Sequence, residues 1–371
     1  MNAPRIMEFQ NADLLAKFVR YRLNWSPFRY GMAILIVNLV MDFSSAFYFG
    51  AFVAQSGPPG LFQDPTQLLV GYVMMPVIGG FYIWSIIRIG TLLQQLYSSN
   101  VITDEANFDR LVQELAVRLR NKLPLVVSII TSVIVTLLLL GTFLNWYGWP
   151  QSISFLNHSD VLPWLRSPMW FITMYGVCFG LFNIASTVIT LRRIFRDQSI
   201  NLSPWHPDKC GGLRGISQYS LTLGYAIAVI GLTISVLTIQ EIYFGTFKSS
   251  YLVWIGLVGY IFLSPLIFFL PLGTAHAAMR KAKTTHLLAL SKQFDAHYKR
   301  IVDALSNGDG EIKLSVEIIE QLHTLYKITE EFTIWPFDIA NLRIFLTITL
   351  APLLPGVFSA IFEFTRIFLM D

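Results

Sequence analysis

The sequence predicts an all-α, polytopic integral membrane helix bundle. It has about seven spans, the last one kinked or re-entrant, and a helical hairpin on the cytoplasmic side. Three observations predict this fold. Only 13% of the 371 residues are charged while 54% are hydrophobic, against roughly 25% and 45–50% in soluble domains; the mean hydropathy is +0.55. The charges cluster between long apolar runs, each able to cross about 30 Å of hydrocarbon as a helix. Lys and Arg also concentrate in alternate loops, as the orientation of spans requires. A surface this poor in charge argues against a soluble globular protein and against a disordered chain.

The elements follow in order. Residues 1–29 form a cytoplasmic amphipathic segment: Leu14, Leu15, Phe18 and Val19 with Lys17, Arg20 and Arg22 suit a helix lying at the membrane interface. Its start is polar and basic, without the short apolar core and small-residue cleavage site of a signal peptide. Residues 30–274 hold a six-span bundle, with spans at about 30–54, 68–94, 123–147, 168–191, 217–244 and 251–274. Shorter, alternating segments would mark a membrane β-barrel, and these runs do not alternate. A second amphipathic stretch, 103–122, is also expected at the interface, with contact to the hairpin as the rival reading. Residues 275–335 read as a cytoplasmic hairpin. One helix continues the sixth span to about 306, SNGDG turns the chain at 306–310, and 311–331 returns. Residues 336–371 are a C-terminal membrane segment with Pro352, Pro355 and Gly356 at its middle. Proline removes a backbone donor and clashes with the preceding turn, so the segment is kinked, or re-entrant.

Of the 27 Lys and Arg residues, 22 fall in the four segments placed in the cytoplasm and two, Arg166 and Lys248, in the outer loops. This places the N-terminus in the cytoplasm, and the bacterial inner membrane is the expected location. Orientation thus accounts for the net charge of +4, and no nucleic-acid partner is implied. Trp146, Trp149, Trp164 and Trp170 bracket one outer loop as an aromatic belt. The two cysteines, Cys178 in a span and Cys210 in a loop, give no disulfide framework.

Asp42 is the sharpest candidate site. It is expected near the bilayer centre, where a carboxylate costs roughly 2.5–3.5 kcal/mol. Asn38 and Ser45 share its face, so the stripe reads either as an ion pathway or as a structural pair, with Arg88 as the partner. Weaker polar stripes lie on the third (Ser128, Thr131, Ser132, Thr136), fourth (Asn183, Ser186, Thr187, Thr190) and fifth spans (Gly231, Ser235, Thr238), where close packing is the leading reading. Glu241, near the outer end of the fifth span, reads as a charged mouth or as a headgroup-level residue. Pro265, Pro271 and Gly273 in the sixth span, with Pro352 and Pro355 in the last, are candidate hinges.

The loop SPWHPDKCGGLRGIS supports three readings. His206, Asp208 and Cys210 are competent metal ligands, with His276 as a fourth. Gly211 and Gly212 permit a turn with exposed amides that cradles an anion such as a lipid phosphate, beside Arg192, Arg193, Arg196, Lys209 and Arg214. The third reading is a rigid turn docked on the cytoplasmic helices. His206-Pro207-Asp208 followed by Gly211-Gly212-Leu213, with Trp335-Pro336-Phe337-Asp338, resembles stretches of uncharacterised polytopic bacterial membrane proteins. That resemblance implies a polytopic membrane fold and brings no activity with it.

No phosphate-binding Gly-rich loop, HExxH, GxSxG or paired-Cys motif occurs, so no cofactor is expected. The functional expectation is an oligomeric ion channel or channel-like conduit for a small ion, in contact with membrane lipids. The alternatives are a membrane-anchored sensor or interaction protein without transport, and an intramembrane enzyme acting on lipids.

Overall fold

In the computed structural model, residues 13–146, 154–197, 202, 206–208, 210–245, 251–307, 312–336 and 339–370 are described. Trp149, Lys209, Lys248, Phe337, Asp338 and residues 1–12 lie outside them. The chain forms α1 (Leu14–Lys17), α2 (Pro27–Phe49), α3 (Pro65–Ser98), α4 (Glu105–Leu119), α5 (Lys122–Phe143) and α6 (Val161–Asp197). It continues as α7 (Arg214–Tyr243), α8 (Tyr251–Asn307), α9 (Ile312–Glu331), α10 (Ile339–Leu350) and α11 (Leu354–Met370). There is no β-strand among the described residues. Six helices are long and apolar enough to cross a membrane, and α10 with α11 makes a seventh span if the bent pair is counted as one. The all-α bundle is as expected.

Local chemistry sets the helix ends. Pro27 and Pro65 sit at first-turn positions, where the missing N–H costs nothing, behind N-caps Ser26 and Asp64. Asp104 and Asn121 cap α4 and α5 through backbone amides at 3.0 and 3.3 Å. The break between α10 and α11 falls at Pro352, with a bend of 46°. The bent pair matches the expected kinked or re-entrant segment.

The polar stripes face inward and the apolar faces outward, the inverse of a water-soluble bundle. On α5, Ser128, Ser132 and Thr136 are buried while Val127, Ile130 and Ile134 are exposed. Asn183, Ser186, Thr187 and Thr190 of α6 are likewise buried. So are Ser235 and Thr238 of α7, where the Gly356 amide of α11 donates to Ser235 Oγ at 2.7 Å. These stripes are packing seams, on which small side chains bring helices together where lipid supplies no hydrophobic drive. α3, α6 and α7 form the interior; α2 packs on α3, α5 on α6, and α8, α10 and α11 on α7.

One amphipathic stretch, α4, departs from the interfacial expectation. α4 buries Phe108, Leu111, Val112, Leu115 and Leu119 against the ends of α3 and α6, with Tyr97 and Phe108 stacked and Arg193 paired with Glu114 at 3.1 Å. An apolar helical stripe fits a protein groove as well as it fits lipid, and here the protein provides the groove. The N-terminal stretch is anchored by Asp13, buried between the hydroxyls of Tyr82 and Tyr175, while Phe18 and Tyr21 remain exposed. Trp170 is buried against Phe143, so only Trp146 and Trp164 of the described belt residues are exposed.

α8 is one continuous 57-residue helix through Pro265 and Pro271, about 85 Å long. α9 returns beside it. Lys283 Nζ donates to the carbonyls of Glu330 and Phe332, satisfying acceptors at the end of α9. His276 bonds the Ile334 carbonyl at 2.7 Å and stacks under Trp335, and His286 bonds the Leu202 carbonyl at 3.2 Å.

Candidate functional site

The bundle holds its buried charge where α2, α3 and α6 meet. Arg166 Nη2 contacts Asp42 Oδ2 at 3.1 Å, and Arg166 Nη1 donates to Asn38 Oδ1 at 3.0 Å. Gln67 Nε2 donates to both Asp42 oxygens, at 3.2 and 3.3 Å. Asn38 Nδ2 donates to the Gly71 carbonyl at 2.6 Å. All four of these side chains are buried. The sequence allows this locally because α3 widens into a π turn at Val70–Met74, a distortion frequent at functional sites. Gly71 within it leaves room for the guanidinium, since an added Cβ would stand 2.4 Å from Arg166 Nη2.

Asp42 therefore has a partner, but not the expected one. Arg88 lies toward the other end of α3 and contacts Gln218 at 3.4 Å. Arg166, assigned by pattern to an outer loop, is instead in the second turn of α6 and 1% exposed. Because α2 starts at Pro27, Asp42 sits about 10 Å from the far end of its helix rather than at the centre. Ser45 is partly buried one turn further on, and Glu241 is buried within α7 rather than standing at an open mouth. The ion pair and its hydrogen bonds tie α2, α3 and α6 together at one point.

Asp64, not anticipated from sequence, ties the adjacent loops together. One carboxylate oxygen accepts from the Gln67 amide at 2.8 Å, capping α3, and the other from Ser154 Oγ at 2.6 Å and the Phe155 amide at 2.8 Å. An Asp before a Pro signals a cap. Nothing local signals acceptance from residues about 90 positions away.

At the opposite side, the loop before α7 is a rigid turn. Asp208 accepts from the amides of Cys210 (2.9 Å), Gly212 (3.0 Å) and Arg214 (3.3 Å), and contacts His206 Nδ1 at 2.6 Å. The amides expected to cradle an external anion thus hold the chain's own carboxylate, which also meets the positive end of α7. Positive φ at Gly211 and Gly212 permits the turn. An added Cβ on Gly211 would lie 3.1 Å from the ring of Phe332, so the loop and the segment before α10 pack together. The metal reading gains no support: Asp208 is spent on amides, His276 on Ile334, and no group of three His, Cys, Asp or Glu able to hold a metal occurs among the described residues.

Burial pushes the Asp208 carboxyl up, but the amides of Gly212 and Cys210, His206 and the Arg214 amide together outweigh it and hold the group below its ordinary value. A lowered carboxylate pKa stabilises the fold above the unfolded value of roughly 4 and loses that contribution as pH falls through the folded value. Wild-type protein therefore melts higher than Asp208→Asn at neutral pH, by about 1–3 kcal/mol of stability. The difference closes in acid, as thermal unfolding in detergent from pH 7 to 3 shows.

Arg192, Arg193 and Arg196 line a groove between α6 and α8 together with Lys281, while Arg214 lies at the start of α7. Pro265, Pro271 and Gly273 lie within unbroken helix, and Pro352 and Pro355 flank the bend of the last span. Comparison of the chain with protein-family models, with curated proteins and with solved structures finds no match.

Proposed function

We infer that this protein is an oligomeric, multi-pass inner-membrane protein of a bacterium. Its N-terminus lies in the cytoplasm, and its cytoplasmic hairpin joins copies while the spans hold each copy rigidly. The observation that carries this reading is the hairpin surface. Leu288, Tyr298 and Val302 of α8 and Val316, Leu325 and Tyr326 of α9 are exposed, although this part of the chain faces water rather than lipid in the proposed orientation. Charge complements them. Beyond the bundle α8 is basic, with Arg280, Lys281, Lys283, Lys292, Lys299 and Arg300 against Asp295 and Asp303. α9 is acidic, with Glu317, Glu320, Glu330 and Glu331 against Lys313 and Lys327. The latch formed by His276, Lys283 and His286 fixes the hairpin before any partner arrives, which lowers the entropic cost of association.

The test is the mass of the full-length protein in nanodiscs. Wild type is expected to be multimeric, and Tyr298→Lys with Val302→Glu to be monomeric at an unchanged melting temperature. A variant that stays multimeric overturns the assembly role.

A channel-like conduit for a small ion is the second reading, favoured by the placement of Asp42, Asn38 and Gln67 inside the bundle. Flux in proteoliposomes that disappears in Asp42→Asn with Arg166→Met, the charge-removing pair expected to keep the fold, supports it. Silence across common cations and anions removes it and leaves the hairpin as the working part.

A further inference from the structure

The geometry points to a binding site for an anionic phospholipid in the groove between α6 and α8. The groove encloses about 810 Å³ and is graded along its length. Ile189 of α6 and Phe269 and Leu270 of α8 form one end, and all three are exposed, continuing the lipid-facing surface of the bundle. Four cations, Arg192, Arg193, Arg196 and Lys281, form the other end, with no acidic residue in the lining. An acyl chain followed by a phosphodiester has the same gradient.

Two of the four cations, Arg192 and Lys281, are available. Arg193 is shared with Glu114 of α4, which neutralises one charge. Arg192 and Lys281 make no ion pair among the described residues. Arg presents a planar fork that matches two phosphate oxygens, and Lys adds a point charge. A zwitterionic headgroup would bring its own ammonium against these cations, so the groove selects lipids with net negative charge. The apolar end requires a lipid rather than a soluble phosphate ester, because Phe269 and Leu270 have nothing to bury against a small anion. This site is separate from the Asp208 turn and does not depend on the assembly reading.

The experiment is native mass spectrometry of the full-length protein released from nanodiscs of mixed phosphatidylglycerol and phosphatidylcholine. Wild type is expected to retain phosphatidylglycerol preferentially. Arg192→Gln with Lys281→Gln is expected to weaken that retention roughly tenfold or more, since each basic residue near the surface contributes independently. Lys292→Gln with Lys299→Gln removes the same charge from the exposed hairpin and is expected to change nothing; an equal loss there overturns the site in favour of diffuse attraction. Gly273→Leu tests the groove without altering charge. The space beside Gly273 is open, so leucine fits the helix and blocks the acyl end, and retention is expected to fall. Unchanged retention in Gly273→Leu, or displacement of the lipid by glycerol 3-phosphate, overturns the proposal.

Discussion

Arg166→Ala is expected to lower the unfolding free energy by about 3–5 kcal/mol, because it strands the Asp42 carboxylate in the bundle interior. Asp42 keeps the Gln67 amide but loses its cation, and Asn38 loses the donor to its carbonyl oxygen. Removing both charges in a shape-conserving pair, Asp42→Asn with Arg166→Met, is expected to recover most of the loss, since it removes the desolvation cost along with the attraction. Guanidinium unfolding in detergent, followed by tryptophan emission, measures all three proteins. A loss under about 1 kcal/mol for Arg166→Ala would mean that water reaches and screens the pair.

Asp64→Ala is expected to cost about 3 kcal/mol, since three donors each lose a buried acceptor at roughly 1 kcal/mol apiece. The donors are the Gln67 and Phe155 amides and the Ser154 hydroxyl. Asp64→Asn keeps one acceptor oxygen and is expected to cost about half as much. Hydrogen exchange separates the two roles: Gln67 reports the cap of α3 and Phe155 the tie to the distant loop. Loss of protection at Gln67 alone would show that the cap matters and the tie does not.

The fold was legible because its strongest signals are collective. Seven apolar runs and two amphipathic helices mark the bundle and hairpin with no tertiary information. The proline-centred break at Pro352 was legible for the same local reason. The site was only half legible. Asp42 stands out in an apolar run, but its partner does not, because Arg166 lies where the pattern changes from loop to span and by pattern alone counts as one of two outer cations. A lone arginine on a side otherwise almost free of cations is itself a signal for a buried counter-ion. The Asp208 turn carried competing signals: ligand-type residues, permissive glycines and nearby basic residues fit a metal, an anion or a plain turn. Only the direction of three amides distinguishes them, and direction is a tertiary fact. α4 shows the remaining limit, since an apolar stripe records that a face is covered without recording by what.

The unbroken course of α8 makes the latch at His276 and Lys283 a fulcrum. From Lys283 to the end of the helix at Asn307 runs an arm of about 36 Å. On the other side, Tyr260 is tied to the Thr349 carbonyl at 2.8 Å, so the helix is gripped by the last span just ahead of its bend. A tilt of about 10° about the latch would sweep the far tip through about 6 Å, for an arm set by ~1.5 Å per residue. The arm from Lys283 back to Tyr260 is about 35 Å, so a displacement at the kinked span reaches the point where copies would meet at nearly its full size, with its direction reversed.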